Sequence, residues 1–430
     1  MSPNPAEALR PADDPWDASK ETSSIADEYS RGIYLRRSLN IFVPHCSGLL
    51  TDHRSHGDGL VAHGFIQRLA ERGHTLYVAA ESVDLEQSLP SNVHIRQPAG
   101  EARGGLVYRL RYMQAVRGWY RELRKQVRFD VIHQLNPVFT GLSLALAGAS
   151  EPLILGPYVA SWPEDPDSNM AGGGVVASVV SGAKSWIAGA QQQKANALLV
   201  TTLKAEDRIP SASRLRDRIY TLPHGLDTDF FSPIPGQRGL GVEDQDILFL
   251  SNLVERKGVF DLVTAFHMLA SDLPHARLII AGAGPEMGKI RALAETLDLS
   301  QRIVFAGKQT REQSVTLLRE CAIFCQPSHG EPYGMSVAEA MGCAKALVVT
   351  REGGLGYLVD DDGGLRVPMK RPEELSHALR SLLENPARRS AMGEHNRYRA
   401  VSSMSWEKVV DRLEDVYWRT IDARAEVSSS

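Results

Sequence analysis

Apolar segments of strand length alternate with helical patterns in two successive series along this chain of 430 residues. The first series opens with SLNIFVPHC at 38–46, followed by helical spacing up to Gly73 and by TLYVAA at 75–80. The second series starts with ILFLS at 247–251 and continues through RLIIAG, RIVFAG, AIFCQP and ALVVT. Strands that alternate with helices form parallel sheets covered on both faces. The pattern predicts an α/β chain with two Rossmann-like doubly wound domains.

Composition along the chain predicts where these domains begin and end. Residues 1–36 are rich in Pro, Ala, Asp and Ser, which favours a mostly disordered leader. The N-terminal domain is expected at 37–222 and the C-terminal domain at 246–404. The stretch 223–245 overlaps a Pro-, Gly- and Asp-rich segment and is the predicted hinge. An amphipathic pattern at 405–424 predicts a last helix, which we expect to cross back to the N-terminal domain.

Bulk properties exclude several classes of protein. The formal net charge is −4, so no global basic field indicates nucleic-acid binding. Four scattered cysteines do not form a disulfide framework and favour a reducing, cytoplasmic location. No apolar run approaches the ~20 residues that span a bilayer. The apolar segment at 172–195 fits either peripheral contact with the inner membrane face or, as we prefer, packing on the N-terminal sheet.

Two glutamates flank a glycine turn just ahead of a predicted helix. In SHGEPYGMSVAEAM these are Glu331 and Glu339, with Gly334 between them. The segment follows the strand AIFCQP, so it lies at the carboxyl end where open α/β sheets bind ligands. Gly334 allows a tight turn, and the N–H groups of Met335 and Ser336 would then face an anion such as a diphosphate.

Carboxylates beside a bound phosphate need partners other than that anion. Sugar and ribose hydroxyls fit this requirement, because a carboxylate accepts several hydrogen bonds. A simpler interpretation is also open, in which Ser336 and Glu339 form an S-x-x-E capping box and do nothing more.

The segment EPYGMSVAE resembles the E-x7-E signature of retaining nucleotide-sugar glycosyltransferases with the GT-B fold, specifically family 4. Further segments resemble other motifs of that family in the same order. They are GDGLVAHGFIQRLAERGHTLYV, FDVIHQLNP, LPHGLDTDFFSP, LSNLVERKGVFDLVTAF, IIAGAGPE and IVFAGKQTREQ. The resemblance covers roughly residues 38–422. It implies two domains facing across a cleft, a nucleotide-diphosphate sugar donor and an acceptor on the N-terminal side. UDP is the preferred donor nucleotide, with GDP or ADP as alternatives.

The same resemblance implies roles for individual residues. Glu331, Lys257 and His133 would be catalytic, Lys257 by neutralising the diphosphate and Glu331 by holding the donor sugar. Glu339 would bind ribose, and the backbone at Gly334, Met335 and Ser336 would receive phosphate. The other implied donor-binding residues are Gly57, Gly59, Asn252, Arg256, Gly282, Gly284, Pro285, Lys308 and Tyr333. The acceptor would lie near His63 and Asn136.

Three positions depart from the family pattern. Asn252 replaces an arginine expected at the phosphates, a loss for which Arg256 is the candidate compensation. Leu135 replaces the distal histidine of an H-x-H pair, and Tyr357 replaces an acidic residue. His133 itself has an alternative interpretation as a buried structural histidine at the end of its strand.

Two clusters offer carboxylates or imidazoles for a metal, but both fit a simpler interpretation better. Asp360-Asp361-Asp362 contains D-x-D, yet the following Gly363 and Gly364 favour an acidic surface turn. The spacing of the histidines and acids between His45 and Asp58 matches no structural zinc pattern. We therefore predict neither a metal nor a cofactor.

The leading hypothesis is sugar transfer from a nucleotide-diphosphate sugar. A phosphorolytic or epimerising enzyme of the same fold is an alternative, although no lysine stands in a pyridoxal-phosphate setting. A third hypothesis is a non-catalytic sugar-nucleotide-binding partner of an active enzyme, which Asn252 and Leu135 keep open.

Overall fold

The chain builds two parallel β-sheets, each with helices on its faces. The structure is a computed structural model that describes residues 37–54, 57–98, 105–136, 141–142, 146, 149–161, 175–234 and 245–429. The predicted leader and the hinge residues 235–244 lie outside this described part. The described residues from Ser38 onwards belong to one compact unit.

The N-terminal sheet contains seven parallel strands among the described residues. The strands of this half are β1 (Asn40–Val43), β2 (Leu50–Thr51), β3 (Thr75–Ala79), β4 (Val83–Asp84), β5 (Val93–Arg96), β6 (Val131–Gln134), β7 (Leu153–Tyr158), β8 (Ala197–Val200) and β9 (Ile219–Thr221). Their order in the sheet is β5-β3-β1-β6-β7-β8-β9, while β2 and β4 form a separate parallel pair. The order reverses between β1 and β6, which makes this sheet doubly wound.

Three long helices cover this sheet: α1 (Gly57–Glu71), α2 (Gly105–Leu123) and α3 (Val175–Lys194). Successive strand residues point to opposite faces. Ile41 joins the cluster that contains α1, whereas its neighbour Phe42 joins the aromatic cluster that contains α2. Five elements were not predicted, because they lie in short or Arg-rich segments with weak periodicity: β2, β4, β5, β9 and α2.

The C-terminal sheet has six parallel strands in the order β12-β11-β10-β13-β14-β15. They are β10 (Asp246–Leu250), β11 (Arg277–Ala281), β12 (Ile303–Gly307), β13 (Ile323–Gln326), β14 (Ala346–Thr350) and β15 (Gly364–Val367). The helices of this half are α4 (Val259–Ala270), α5 (Met287–Thr296), α6 (Arg311–Glu320), α7 (Met335–Gly342), α8 (Leu355–Leu358), α9 (Pro372–Leu383) and α10 (Pro386–Arg399). All the apolar runs of the second sequence series form strands at or within two residues of their predicted bounds.

A π-helical segment, Ala400–Met404, leads into the last helix, α11 (Trp406–Ser429). The helix is longer than the predicted 405–424, and its apolar side packs in the hydrophobic cluster of the N-terminal sheet through Val409, Leu413 and Tyr417. Its first residue, Trp406, fills the space beside Gly64 and Gly225, where any added Cβ would overlap the indole ring. None of the helices in the described ranges is long and apolar enough to cross a membrane.

Two of the predicted donor-binding residues, Gly57 and Gly59, lie at the start of α1. The helix begins at Gly57, so both glycines are in its first turn. A Cβ added to Gly57 would meet no atom within 4 Å, so internal packing does not explain a glycine at that position.

Candidate functional site

The carboxyl ends of the C-terminal strands meet at one edge of the sheet, where the strand order reverses between β10 and β13. Ligands of open α/β sheets bind outside such a reversal. The segment after β10 carries Lys257 in the short turn Glu255–Lys257, and the segment after β13 carries Glu331. The fold therefore brings two of the predicted catalytic residues to the same place.

A polar network joins these two residues. The Nζ atom of Lys257 forms an ion pair with Oε2 of Glu331, and both side chains are largely buried. Gln326, the last residue of β13 and 1% exposed, donates from Nε2 to the same carboxylate oxygen at 3.1 Å. Its Oε1 accepts a 2.6 Å hydrogen bond from Ser336 Oγ. Gln326 was not among the predicted site residues, although a polar residue at the end of an apolar strand is a usable signal in the sequence.

Gly334 forms the turn between Glu331 and α7. It has a φ of +92°, in the left-handed region, and an added Cβ would overlap Cδ2 of Leu355. Its carbonyl accepts from Val337 and Ala338, and no described acceptor bonds the N–H groups of Met335 and Ser336. Free first-turn N–H groups together with the helix dipole attract anions. The Met335 side chain also contacts the hydrophobic cluster of the N-terminal sheet.

The capping-box interpretation of this segment is wrong. The residue that caps α7 is Gly334, not Ser336, which lies inside the first turn with its hydroxyl bonded to Gln326. Glu339 consequently stands within the helix and caps nothing.

Glu339 has an unusual environment for a carboxylate. Burial raises its pKa to about 7, and the positive charge of Arg311 only partly opposes this effect. Among the described residues no hydrogen bond or ion pair reaches its carboxylate. It lies four residues after Met335 and three after Ser336, so its side chain is on the same side of α7 as theirs. A partly buried carboxylate that lacks a partner is suited to a hydroxyl-bearing ligand.

Two predicted glycines hold neighbouring loops of this edge together. Gly282 has a φ of +142°, and an added Cβ would overlap the carbonyl oxygen of Ser251. Gly284 packs equally tightly on the carbonyl of Leu253. The backbone segments that follow β10 and β11 approach each other so closely that these two positions require glycine. This requirement is independent of any contact with a ligand.

The remaining donor-side residues of the C-terminal half differ in exposure. Four of them are exposed, namely Asn252, Arg256, Pro285 and Lys308. Tyr333 is not: its ring is buried and stacks on His224, with ring centroids 4.6 Å apart. The Tyr333 side chain thus packs inside the protein, and a donor contact at this position stays a prediction.

The position of His133 does not fit the catalytic role predicted for it. The side chain is 1% exposed, and both ring nitrogens are bonded, Nδ1 to the Tyr417 hydroxyl at 2.6 Å and Nε2 to the Gly156 carbonyl at 3.0 Å. Burial lowers its pKa to about 4, so the ring is neutral near pH 7. His133 connects the N-terminal sheet to α11 and has a structural role.

Asn136 is also engaged by the protein itself. Its buried Nδ2 donates to the carbonyls of Cys46 and Asp58, which ties the segment after β1 to the first turn of α1. These contacts occupy the Nδ2 atom, and an acceptor contact through Asn136 stays a prediction. His63 is partly buried on α1, where burial lowers its pKa. No described contact joins His63 to Lys257 or Glu331.

Both clusters considered for metals make contacts within the protein. Asp360 bonds His395 Nε2 at 2.9 Å and Arg399 Nη1 at 3.1 Å, and Asp361 bonds Arg366. In the N-terminal cluster, His45 bonds Glu81 at 3.1 Å, whereas His56 lies outside the described residues. No group of three or more metal-binding side chains occurs in the ranges that the structure describes.

Comparisons with known proteins agree with this architecture. The sucrose-phosphate synthase of Thermosynechococcus elongatus is 17% identical, with a TM-score of 0.68 over 90% of this chain and 100% of that one. Alr3699/HepE of Anabaena, solved in complex with UDP, is 16% identical, with a TM-score of 0.66 over 88% and 99%. At these identities the similarity shows the fold, and it confirms the predicted GT-B architecture.

Sequence relatives match over a shorter part of the chain. A D-inositol 3-phosphate glycosyltransferase of Kineococcus radiotolerans is 29% identical over 48% of this chain and 53% of its own length. A GDP-mannose-dependent monoacylated alpha-(1-6)-phosphatidylinositol monomannoside mannosyltransferase of Corynebacterium glutamicum is 30% identical over 45% and 55%. The chain thus spans about half the length of the curated relatives that it matches.

The sequence profile described as "Glycosyl transferases group 1" matches residues 232–399, which include Lys257, Glu331, Gly334 and Glu339. This segment of the chain is therefore similar to the glycosyl transferases group 1 family.

Proposed function

We propose that this protein is a retaining glycosyltransferase that moves a sugar from a nucleotide-diphosphate sugar to an acceptor held by the N-terminal half. The observation that carries the proposal is the pair of free N–H groups at Met335 and Ser336, beside the ion pair of Lys257 and Glu331. Free donors and a cation at one sheet edge form a site for a diphosphate.

Cleavage of the sugar–phosphate bond builds negative charge on the departing diphosphate. The Lys257 ammonium group and the first turn of α7 are fixed where this charge would develop, which is the arrangement that stabilises a leaving group. We propose that these groups serve in place of a divalent metal.

Glu331 is suited to position the donor sugar. Its Oε2 atom is shared by Lys257 and Gln326, which fixes the carboxylate without exhausting its capacity to accept hydrogen bonds. Because it is held by a cation and an amide, we assign it to sugar hydroxyls and not to nucleophilic attack. Glu339, deeper along α7, is assigned to the ribose hydroxyls.

The relatives support a nucleotide-sugar donor, but different nucleotides are named for different relatives. One structural relative was solved with UDP, and one sequence relative is named as GDP-mannose-dependent. We keep UDP as the first donor to test, with GDP and ADP as alternatives. A cytoplasmic location and membership of family 4 are further proposals.

A thermal-shift series with UDP, GDP, ADP and TDP tests the site, on the wild type and on Glu339→Ala. A ligand at 100 times its dissociation constant stabilises a protein by about 2.7 kcal/mol, which shifts Tm by several degrees. We expect one nucleotide to shift the wild type and not the variant. Turnover of the matching sugar nucleotide in the presence of a chelator then tests catalysis without metal. Binding without turnover would favour the non-catalytic partner, which the exposed Asn252 keeps open, and no shift would reject the site.

A further inference from the structure

Helix α2 presents a strongly basic exposed face in a protein whose net charge is −4. Between Gly105 and Arg128 the chain has seven basic side chains and one acidic one, Glu122, hence a local charge of +6. The side of α2 that faces the sheet is aromatic and buried, through Tyr108, Tyr112, Trp119 and Tyr120.

Most of the positive charge on this helix is not neutralised by the protein. Three arginines of α2 are exposed and have no ion pair or hydrogen bond from their side chains within the described residues, namely Arg111, Arg117 and Arg121. The same holds for Lys125 and Arg128, which follow the end of the helix. By contrast, Arg124 is paired with Glu151 at 3.2 Å. Uncompensated charge concentrated on one surface helix and the residues directly after it attracts an extended anionic partner.

Apolar side chains accompany the arginines on this surface. Val107 and Leu110 are 64% and 50% exposed, and with Gln114, Arg117 and Arg121 they form one stripe at helical spacing, which we call the basic face. Apolar residues beside arginines fit the boundary between lipid headgroups and acyl chains, whereas a phosphate backbone alone would not need them.

Helix α3 adds an exposed aromatic residue on the same side of the sheet. Gln191 of α3 bonds Gln134 of β6, which points to the same face as Ile132 and therefore as α2. Trp186 on α3 is 74% exposed. Tryptophan is enriched at membrane interfaces, where its ring lies at the level of the headgroups.

We infer that the basic face of α2, together with Trp186, docks this protein on the surface of a bilayer that contains anionic phospholipid. Helix α2 connects the carboxyl end of β5 to the amino end of β6, so its first turns, with Val107 and Leu110, lie towards the carboxyl edge of the N-terminal sheet. The docked protein holds that edge next to the membrane. This inference does not depend on the proposed transferase activity.

Co-sedimentation of the full chain with vesicles tests the docking without any turnover. One set of vesicles contains phosphatidylcholine alone, and the other contains equal amounts of phosphatidylcholine and phosphatidylglycerol. We expect binding to the second set only. It should weaken as salt is raised from 0.1 M to 1 M, because the screening length falls from about 10 Å to about 3 Å.

Two matched variants locate the binding surface. Arg117→Gln with Arg121→Gln should weaken binding to the anionic vesicles by about 25-fold, roughly fivefold for each charge near the surface. The control, Arg371→Gln with Arg388→Gln, removes the same charge from exposed positions of the C-terminal half and should bind like the wild type. Trp186→Ser should weaken binding without changing its salt dependence. All three change exposed side chains, and unchanged Tm values verify that they fold.

Equal losses in the two double variants would overturn the inference, because only total charge would then matter. Equal binding to both kinds of vesicle would also overturn it. So would a duplex DNA fragment that binds more tightly than the anionic vesicles, since the basic face would then be a nucleic-acid surface.

Discussion

Lys257 and Glu331 form an ion pair at the point where the C-terminal strand order reverses, although 74 residues separate them in sequence. The cation assigned to the diphosphate therefore already has an anionic partner in the protein. A bound diphosphate must share Lys257 with Glu331 or replace it, so Glu331 influences phosphate affinity as well as sugar position. Removing only the charge of Glu331 separates these two effects.

Glu331→Gln keeps the shape of the side chain and releases Lys257 from its partner. We expect the free nucleoside diphosphate to bind as tightly as before, or more tightly, by calorimetry. Turnover of the sugar nucleotide should fall by a hundredfold or more, as when one precisely oriented polar group is lost from an active site. Glu320→Gln, an exposed charge on α6, is the control. Parallel losses of nucleotide and sugar-nucleotide binding would contradict the assignment of Glu331 to the sugar.

The raised pKa of Glu339 makes nucleotide binding depend on pH. Ribose hydroxyls donate best to the ionised carboxylate, so affinity should rise as the pH increases through about 7. Ionisation has the opposite effect on the ligand-free protein, whose free energy of unfolding should fall between the ordinary pKa of 4.5 and about 7. Glu339→Gln should bind nucleotide weakly at every pH. Its free energy of unfolding should no longer show this fall between pH 4.5 and about 7. Calorimetry and thermal unfolding across this range measure both effects, and a wild-type affinity that is flat with pH would reject the ribose contact.

Gly334 should not tolerate a side chain. Alanine would have to adopt a φ of +92° and would also overlap Leu355. The backbone strain alone costs about 1–2 kcal/mol, and displacement of the turn should abolish nucleotide binding. Gly288→Ala in α5 is the matched control, because its added Cβ meets no atom within 4 Å and should stabilise the helix by up to about 1 kcal/mol. A Gly334→Ala protein with normal stability and nucleotide affinity would show that the turn does not form the anion site.

Much of this site could be predicted because local patterns determine it. The apolar run of β13, the glycine turn and the helix after it are adjacent in sequence, and strand ends are where such sheets bind ligands. The role of His133 could not be predicted in this way. All four residues of β6 are buried, so alternation along the strand does not reveal which face His133 occupies. Its partner Tyr417 is 284 residues away on α11, and no local rule connects the two. Gln326, by contrast, lies close in sequence to its partners Glu331 and Ser336, and its position as a polar residue at the end of an apolar strand was a local signal.

His224 should limit stability in acid. Its ring is buried against Tyr333, neither nitrogen has a partner among the described residues, and burial lowers its pKa to about 4. Between about 4 and 6.5 the unfolded chain binds more protons than the folded one, so the free energy of unfolding falls as the pH decreases through this window. His224→Phe keeps the stacking and removes the unpaired polar atoms.

We expect His224→Phe to stabilise the protein by about 1–3 kcal/mol at pH 7 and to flatten its acid sensitivity. His133→Phe is the contrasting variant, because it strands the Tyr417 hydroxyl and the Gly156 carbonyl and should destabilise. Urea unfolding at several pH values compares them. A loss of stability in His224→Phe at pH 7 would show that the ring has a partner that its surroundings do not reveal.

The position of α11 has a consequence for the order in which the chain can fold during synthesis. Residues 246–399 supply every strand of the C-terminal sheet and are contiguous, so that sheet can assemble as soon as they leave the ribosome. The N-terminal sheet is made first but lacks Val409, Leu413 and Tyr417 until α11 has been translated. The apolar surface that α11 covers therefore remains exposed while the rest of the protein is synthesised. The half of the molecule that is translated first is the half that is completed last.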